Sequence, residues 1–339
     1  MNELQTILSD SVNGLLAERV TKSLVQKAEE GEFPAALWNE VEANGLTRVL
    51  VPEAEGGAGG TWADAAIVLK AAGEHVAPLP LADALLANWF LTTAGIEVPE
   101  GVTTLLEGDF TLDGGKLSGV APRVSFGRNA RYGVAIAKGE VALVSLDGAA
   151  IEHGINVARE PRDRVVLKGA AATAKKAPLP ANAMRLYGAL IRACQMAGAL
   201  GYLSSQSVAY ANERTQFGKP IGKFQAIQQQ LAVLSTQAAA CSVIVDYACA
   251  QADKRGHDAA FEIAAAKIRV DDASSIATSI AHQVHGAIGF TYEHGLHFAT
   301  RRLWSWRAEF GAGREWADEL GRETIAAGAD ALWPRVTAR

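Results

Sequence analysis

The sequence is poor in the features that mark several classes of protein. It has three cysteines in 339 residues, Cys194, Cys241 and Cys249, and their spacing is not that of a metal site. All three lie in apolar, alanine-rich sequence. We therefore expect buried free thiols in a reducing compartment.

A basic cluster and a long apolar run are also missing. The sequence holds 32 Lys and Arg against 37 Asp and Glu, a net charge of −5, which argues against a nucleic-acid partner. No stretch reaches about 18 uncharged apolar residues, and no basic region followed by an apolar run opens the sequence. We therefore expect no stable membrane insertion and a cytoplasmic location.

Proline is scarce in the second half of the chain, where Pro220 is the only one between Pro180 and Pro334. Because proline is excluded from helix interiors, long helices are expected on both sides of Pro220. From Gln225 onward apolar residues recur at intervals of four and three, which predicts one buried helix face. This stripe comprises Ile227, Leu231, Leu234, Ala238, Cys241 and Val245.

The first hundred residues are also predicted to be helical, with breaks at Gly31 to Pro34, Pro52 to Gly60 and Pro78 to Pro80. Alternating apolar residues on both sides of Lys138-Gly139 predict a β-hairpin. The predicted fold is mainly α with a small β domain. It comprises an N-terminal helical domain (1–104), a reduced β domain (105–180) and a C-terminal four-helix bundle (181–339).

Three separated stretches resemble the acyl-CoA dehydrogenase family. The first contains Trp38, Gly45-Leu46, Val51-Pro52-Glu53 and Gly56-Gly57-Ala58-Gly59-Gly60. The second is Glu213-Arg214-Thr215-Gln216-Phe217-Gly218-Lys219-Pro220-Ile221 with Phe224-Gln225-Ala226-Ile227, and it is similar to the family's "R-x-x-F-G-x-P-I-x-x-x-Q-x-I" signature. The third is His282-Gln283-Val284-His285-Gly286-Ala287-Ile288-Gly289-Phe290-Thr291-Tyr292-Glu293, similar to "Q-x-x-G-G-x-G-(F/Y)-x-x-E".

The resemblance implies an FAD cofactor shared between subunits and an acyl-CoA substrate. It assigns cofactor binding to six residues, namely Arg214, Phe217, Gln225, Gln283, Gly286 and Ala287. An arginine offers a phosphate fixed paired donors, and a glycine lets the backbone approach a ligand closely. Taken alone, Arg214 would form a surface ion pair with Glu213, Gly286 would break a helix, and Gln225 would be a satisfied helix residue.

The family's reaction removes a proton beside the thioester and needs a carboxylate base in a dry pocket. Ungapped counting from the third stretch places Phe310 at the usual base position, with Glu309 one residue early. The alternative base position, on the helix before the second stretch, falls on Gly188. Either a gap brings Glu309 into the pocket as the base, or the chain has no base of its own.

The β segment departs from the family as well, because no "T-E-P-x-x-G-S-D" loop occurs between Leu117 and Val134. The resemblance therefore leaves several hypotheses open. The chain is an FAD-dependent dehydrogenase that forms an α,β double bond, either by itself or as one half of a heteromer, or it is a non-catalytic partner that completes the FAD site of a longer subunit or only stabilises it. The same fold also leaves open an acyl-CoA oxidase or a nitroalkane-type oxidase. The dehydrogenase hypotheses imply an obligate homo- or hetero-oligomer in lipid or steroid catabolism, with an acceptor similar to electron-transfer flavoprotein.

Four histidines have paired spacing that superficially suggests a zinc site, namely His282, His285, His294 and His297. Structural zinc sites usually combine such pairs with cysteines, and no cysteine lies nearby in the sequence. We therefore predict no metal site.

Overall fold

A computed structural model describes residues 3–337. Its N-terminal layer is helical, as predicted. The helices are α1 (Glu3–Arg19), α2 (Lys22–Glu29), α3 (Ala35–Ala43), α4 (Trp62–Glu74) and α5 (Leu81–Thr93). Thr61 and Asp64 form a capping box at the start of α4, and such boxes satisfy backbone N–H groups that the first turn leaves free.

A seven-stranded sheet follows, in the order β1-β4-β5-β7-β3-β2, with β6 pairing beside β7. Its strands are β1 (Thr103–Leu105), β2 (Asp109–Asp113), β3 (Lys116–Ser125), β4 (Tyr132–Ala137), β5 (Glu140–Ser145), β6 (Ala150–Glu152) and β7 (Arg162–Lys176). The predicted hairpin is β4-β5, antiparallel, with Lys138 and Gly139 both at positive φ in its turn. The fold prediction is confirmed, whereas the limits set for the three domains stay a prediction.

The C-terminal part consists of helices, three of which have 26 residues or more. They are α6 (Ala183–Glu213), α7 (Gln225–Arg255), α8 (Ala260–His285), α9 (Leu296–Trp306), α10 (Gly313–Ala327) and α11 (Ala329–Thr337). A two-stranded hairpin, β8 (Thr215–Gln216) with β9 (Lys219–Pro220), joins α6 to α7 at the predicted proline break. Short 3₁₀ turns at Gly256–Ala259 and Gly286–Phe290 follow α7 and α8.

The core follows the predicted stripe of α7 in its central part. Leu234, Ala238, Cys241 and Val245 are buried, and α6, α7, α8 and α10 pack together as a bundle. One core cluster spans the helical layers, and a second lies within the sheet. The sheet is therefore anchored to the helices while keeping an apolar core of its own.

The stretch Gln225–Phe290 is long and apolar enough to cross a membrane by those two measures alone, with a mean hydropathy of 1.4 in its best window. The chain turns within this stretch, between α7 and α8, and both helices pack against α6. Only 28% of that window is buried, so α7 and α8 expose apolar surface outside the bundle.

Candidate functional site

The ends of α6 and α8 form the first half of the candidate site. Because α7 runs back between them, α6 and α8 point the same way and finish side by side. Tyr210 near the end of α6 stacks on His285 at the end of α8, with ring centroids 4.5 Å apart. Arg214 on one helix and Gln283 and Gly286 on the other are thereby brought to one end of the bundle.

Arg214 is the residue that follows the last turn of α6, and its side chain is exposed. It forms no ion pair with any residue in the range 3–337, and its neighbour Glu213 does not pair with it. Helix C-termini carry a partial negative charge, so an anion can bind there only if a cation offsets it. The unpaired guanidinium supplies that charge together with donors for a phosphate.

The β8-β9 hairpin beside Arg214 presents an unusual apolar side chain. Phe217 is 91% exposed and has a φ of +53°. A bulky residue in the left-handed region is strained, and such strain is typical of functional positions. Phe224 lies edge-on to its ring at 6.1 Å, and the exposed Gln225 opens α7 directly after Phe224.

Gln283, Gly286 and Ala287 are all exposed at the end of α8. Gly286 has a φ of +64°, and a Cβ added to it would meet no atom within 4 Å. The backbone conformation explains the glycine, and the open space leaves room for a ligand. A groove of about 560 Å³ begins here, lined by Ser275, Thr278, Ser279, His282, Gln283, Gly286, Phe290 and Trp304.

These six residues fit the diphosphate and neighbouring groups of FAD in three respects. The cation is unpaired, the backbone at Gly286 is open, and the side chains of Phe217, Gln225 and Gln283 are exposed for contact. Such a set is suited to one face of an extended nucleotide and leaves its other face to be covered. The arrangement matches half of the cofactor site that the family resemblance implies.

The four histidines pack around the turn after α8. His282 stacks on Phe290 at 4.1 Å, and His285 lies 4.6 Å from His294 between ring centroids. The Nδ1 atom of His297 bonds the carbonyl of His294 at 3.0 Å. Within residues 3–337 no group of three or more His, Cys, Asp or Glu residues is arranged to hold a metal ion.

Gly188 and Phe310, the two possible base positions, are in contact in the structure. A Cβ added to Gly188 would lie 2.3 Å from the nearest ring atom of Phe310, so the ring fills the space above the glycine. Phe310 is 7% exposed, has a φ of +54°, and lies 5.6 Å below the Arg192 guanidinium. An aromatic ring therefore occupies the space where a carboxylate from either position would act.

Glu309 is held between two arginines. Its Oε1 atom accepts from Arg162 Nε at 2.7 Å and its Oε2 atom from Arg192 Nε at 2.6 Å. Burial alone would raise the pKa of Glu309, but the charges and hydrogen bonds of both arginines outweigh burial and lower this pKa to about 2. A base for α-proton removal needs a pKa near working pH, so these contacts are the opposite of those expected for a base.

The ion pairs around Glu309 leave almost no room for a substrate. Arg192, which is 1% exposed, also donates to Asp83 at 2.9 Å and to Gln195 at 2.7 Å. The remaining cavity is about 30 Å³ and is lined by Asp83, Leu105, Glu107, Arg123, Ser125, Arg162, Arg192, Glu309 and Phe310. This volume holds about one water molecule. Burial raises the pKa of Glu107 on its wall.

Sequence reasoning missed Arg162 and Arg192. A signal for Arg192 was present, because it is a lone charge in the apolar run from Leu186 to Leu200, and a charge buried there needs partners. Those partners come from distant segments, for example Asp83, which is 109 residues away. The position of Arg162 in β7 carries no comparable signal.

In the segment between Leu117 and Val134, Arg128 forms an ion pair within the protein. Arg128 pairs with Asp163, which is 0% exposed and also accepts from the Arg128 backbone N–H at 2.7 Å. Asp163 further accepts from the backbone N–H of Gly154 at 3.0 Å. This part of the sheet is therefore stabilised by internal ion pairing.

Comparison with known proteins gives consistent matches. The acyl-CoA dehydrogenase N-terminal domain profile matches residues 2–97, and the acyl-CoA dehydrogenase C-terminal domain profile matches residues 184–329. The chain is 28% identical to acyl-CoA dehydrogenase IpdE2 of Mycolicibacterium smegmatis over 338 residues, covering 96% of this chain and 100% of that protein.

Two solved structures share the fold. One is the Tcur3481-Tcur3483 steroid ACAD G363A variant, with a TM-score of 0.87 and 24% identity over 96% of this chain and 98% of that one. The other is the ChsE4-ChsE5 complex from Mycobacterium tuberculosis, with a TM-score of 0.85 and 20% identity over 97% and 98%.

Proposed function

Because this chain belongs to the acyl-CoA dehydrogenase family, we propose that it is one subunit of a heteromeric FAD-dependent dehydrogenase and completes the flavin site of a longer partner. The assembly would introduce an α,β double bond into an acyl-CoA of lipid or steroid catabolism. Tcur3481-Tcur3483 and ChsE4-ChsE5, the two solved structures that share the fold, are each named for two proteins, which supports a heteromer.

The packing of Phe310 over Gly188 carries the proposal. The family resemblance assigns the base to one of these two positions, and neither has a carboxylate. The ring also fills the space into which a carboxylate from a neighbouring position would have to reach. Glu309, the nearest carboxylate in sequence, is turned into ion pairs with Arg162 and Arg192.

The exposed half-site has a defined role in this proposal. Arg214 offsets the charge of the FAD diphosphate, the Gln283 amide donates to the same ligand, and Gly286 lets the backbone approach it. Phe217, Gln225 and Ala287 cover the adjoining surface. A flavin held by these residues would supply the acceptor for the hydride that leaves the β carbon of the acyl thioester. The partner supplies the base and the contacts of the missing β loop.

Exposed apolar side chains on α7 and α8 support an obligate assembly. Val243 is 69% exposed, Val233 44%, Tyr247 42% and Ile276 41%. A run of exposed apolar residues on long helices is typical of an interaction surface. We further propose electron transfer to an acceptor similar to electron-transfer flavoprotein, and a cytoplasmic location consistent with three free, buried cysteines.

The competing hypothesis is a homo-oligomer in which Glu309 is the base. It would require the Glu309 carboxylate to leave two buried arginines and to gain a pKa far above 2. These contacts argue against it. A pure scaffold without a flavin role is disfavoured by the exposed, unpaired Arg214, which a scaffold would not need.

Flavin content tests the proposal. Purified alone, the chain should be colourless and should not oxidise acyl-CoA. Co-expressed with a long acyl-CoA dehydrogenase subunit from its own organism, it should form an assembly with one FAD for each pair of chains. One FAD for each copy of this chain, with turnover in the absence of any partner, would overturn the proposal.

A further inference from the structure

A stack of two rings joins the two helix ends that carry the half-site. Tyr210 lies one turn before Arg214 on α6, and His285 directly precedes Gly286 at the end of α8. Their ring planes are 22° apart and their centroids are 4.5 Å apart. Residues four apart in a helix lie on the same face, so the stack is adjacent to Arg214 along the helix.

The His285 ring is fixed in orientation. Its Nδ1 atom lies 2.8 Å from the Ala281 carbonyl oxygen, so Nδ1 carries the hydrogen and donates to that carbonyl. The residue is 3% exposed, and burial lowers its pKa to about 4. At neutral pH the ring is uncharged, and the contact with Tyr210 is a stack of two neutral rings.

A third ring, that of His294 in the turn after α8, packs against both rings of the stack. His294 lies edge-on to His285 at 4.6 Å and to Tyr210 at 5.8 Å. Lys22 of α2 holds this turn by donating to the Glu293 carbonyl at 2.9 Å. Three segments of the chain thus fix the relation between the ends of α6 and α8.

Small movements at this point have large effects on a ligand that contacts both ends. Helix α6 has 31 residues, which corresponds to a length of about 46 Å at 1.5 Å per residue. A tilt of about 2° around its far end displaces the Arg214 end by roughly 1.6 Å, which breaks a hydrogen bond. A ligand that bridges Arg214 and Gln283 requires the two ends to stay in register.

We propose that Tyr210 and His285 are positioning residues that hold Arg214 in register with Gln283 and Gly286, so that both helix ends meet one flavin diphosphate. This inference rests on the proposed function. Neither ring needs to touch the flavin. Their effect is exerted through the placement of residues that do.

FAD affinity of the assembly tests the inference. The flavin is removed from the complex of this chain with its partner, and FAD is titrated back while flavin fluorescence and the visible circular dichroism spectrum are recorded. Tyr210→Ala and His285→Ala should each weaken FAD binding by about 10-fold or more, because a misplaced Arg214 loses a charge-assisted contact to the diphosphate. Tyr210→Phe keeps the stack and should stay within about 3-fold of the native chain.

The FAD affinity of the double variant Tyr210→Ala/His285→Ala should equal that of the single variant with the lower affinity, because either change alone breaks the stack. Phe90→Leu is the matched control. Phe90 is 0% exposed in α5, in the N-terminal layer, so its truncation loosens the fold without altering the stack. If Tyr210→Ala does not assemble, Tyr210→Leu takes its place.

The outcomes separate this inference from the proposed function. If Arg214→Ala leaves FAD affinity unchanged, the proposed function itself fails. If Arg214→Ala weakens FAD binding but Tyr210→Ala does not, only the positioning role is overturned. The same conclusion follows if Tyr210→Phe is as damaging as Tyr210→Ala, or if Phe90→Leu weakens FAD binding equally.

Discussion

Arginines in two regions of this protein have opposite surroundings. At the ends of α6 and α8, Arg214 is exposed and without an ion pair among residues 3–337. Around Glu309, Arg162 and Arg192 are buried and fully engaged with carboxylates. An exposed, unpaired cation is available to a ligand, whereas a buried pair is already neutralised. The surroundings of Arg214 therefore fit the proposed half-site at the helix ends, and those of Arg162 and Arg192 fit a closed interior.

The largest effect is expected from substitution of Arg214, and it should be on FAD binding. Arg214→Ala should weaken FAD binding to the assembly by about 100-fold, or about 3 kcal/mol, because a charge-assisted paired contact is lost. Arg214→Lys keeps the charge but not the paired donors and should lose about 10-fold. Equilibrium titration with FAD measures both. Arg164→Ala, which breaks an exposed pair with Glu152, should change nothing.

Substitution of Glu309 in the closed interior should mainly lower the stability of the fold. Glu309→Gln leaves two buried guanidinium groups without their partner and should lower the free energy of unfolding by about 3 kcal/mol. Urea denaturation measures this change. Turnover by the folded assembly should be retained, so an inactive but equally stable variant would identify Glu309 as the base. The control Glu152→Gln, in an exposed pair, should cost less than about 1 kcal/mol.

Substitution of Gly188 should lower stability by a smaller amount, and a second substitution at Phe310 should partly restore it. Gly188→Ala forces its new Cβ against Phe310 and should cost about 2 kcal/mol through overpacking. Adding Phe310→Leu should make the double variant more stable than the sum of the single costs predicts, since the clash is relieved. Thermal unfolding checks this. Strict additivity would mean that the two positions do not share the space.

The smallest effect is a difference in pH dependence between the two regions. Burial lowers the pKa of His285 and of His297 from 6.5 to about 4, so the folded state prefers their neutral forms. Their contribution to stability is complete above pH 6.5 and is lost as the pH falls toward 4. The pKa of Glu309 is lowered from 4.5 to about 2, so its contribution is lost only as the pH falls from 4.5 toward 2.

Hydrogen exchange at a series of pH values separates the two windows. Amides near the end of α8 should lose protection between pH 6.5 and 4, and amides around Glu309 should lose it only at lower pH. His285→Phe should reduce the loss of protection in the first window, where His297 still titrates, and leave the second window unchanged. A single common transition for both regions would contradict the assignment.

Local patterns allowed much of the fold to be predicted. The intervals of the α7 stripe placed Leu234, Ala238, Cys241 and Val245 on a buried face, and Lys138-Gly139 placed the β4-β5 turn. Such signals lie within about 20 residues of sequence. The six candidate cofactor residues came from the family resemblance of two continuous stretches, and their role stays a prediction.

The interior around Glu309 could not be predicted because its contacts are long-range. Arg162 meets Glu309 across 147 residues, and Arg192 meets Asp83 across 109. Ungapped counting pointed to Gly188 and Phe310, but only the packing of α6 against the chain after α9 shows that they share one space. The two-ring contact between Tyr210 and His285 was missed for the same reason.

The ring of Phe310 under Arg192 has a consequence for any evolutionary reversal. A carboxylate introduced at position 310 would lie close to Arg192, which would keep it ionised and make it a poor proton acceptor. Under the proposed function, a single acidic substitution at position 310 would therefore not restore a base, because the Arg192 charge beside it would first have to be removed.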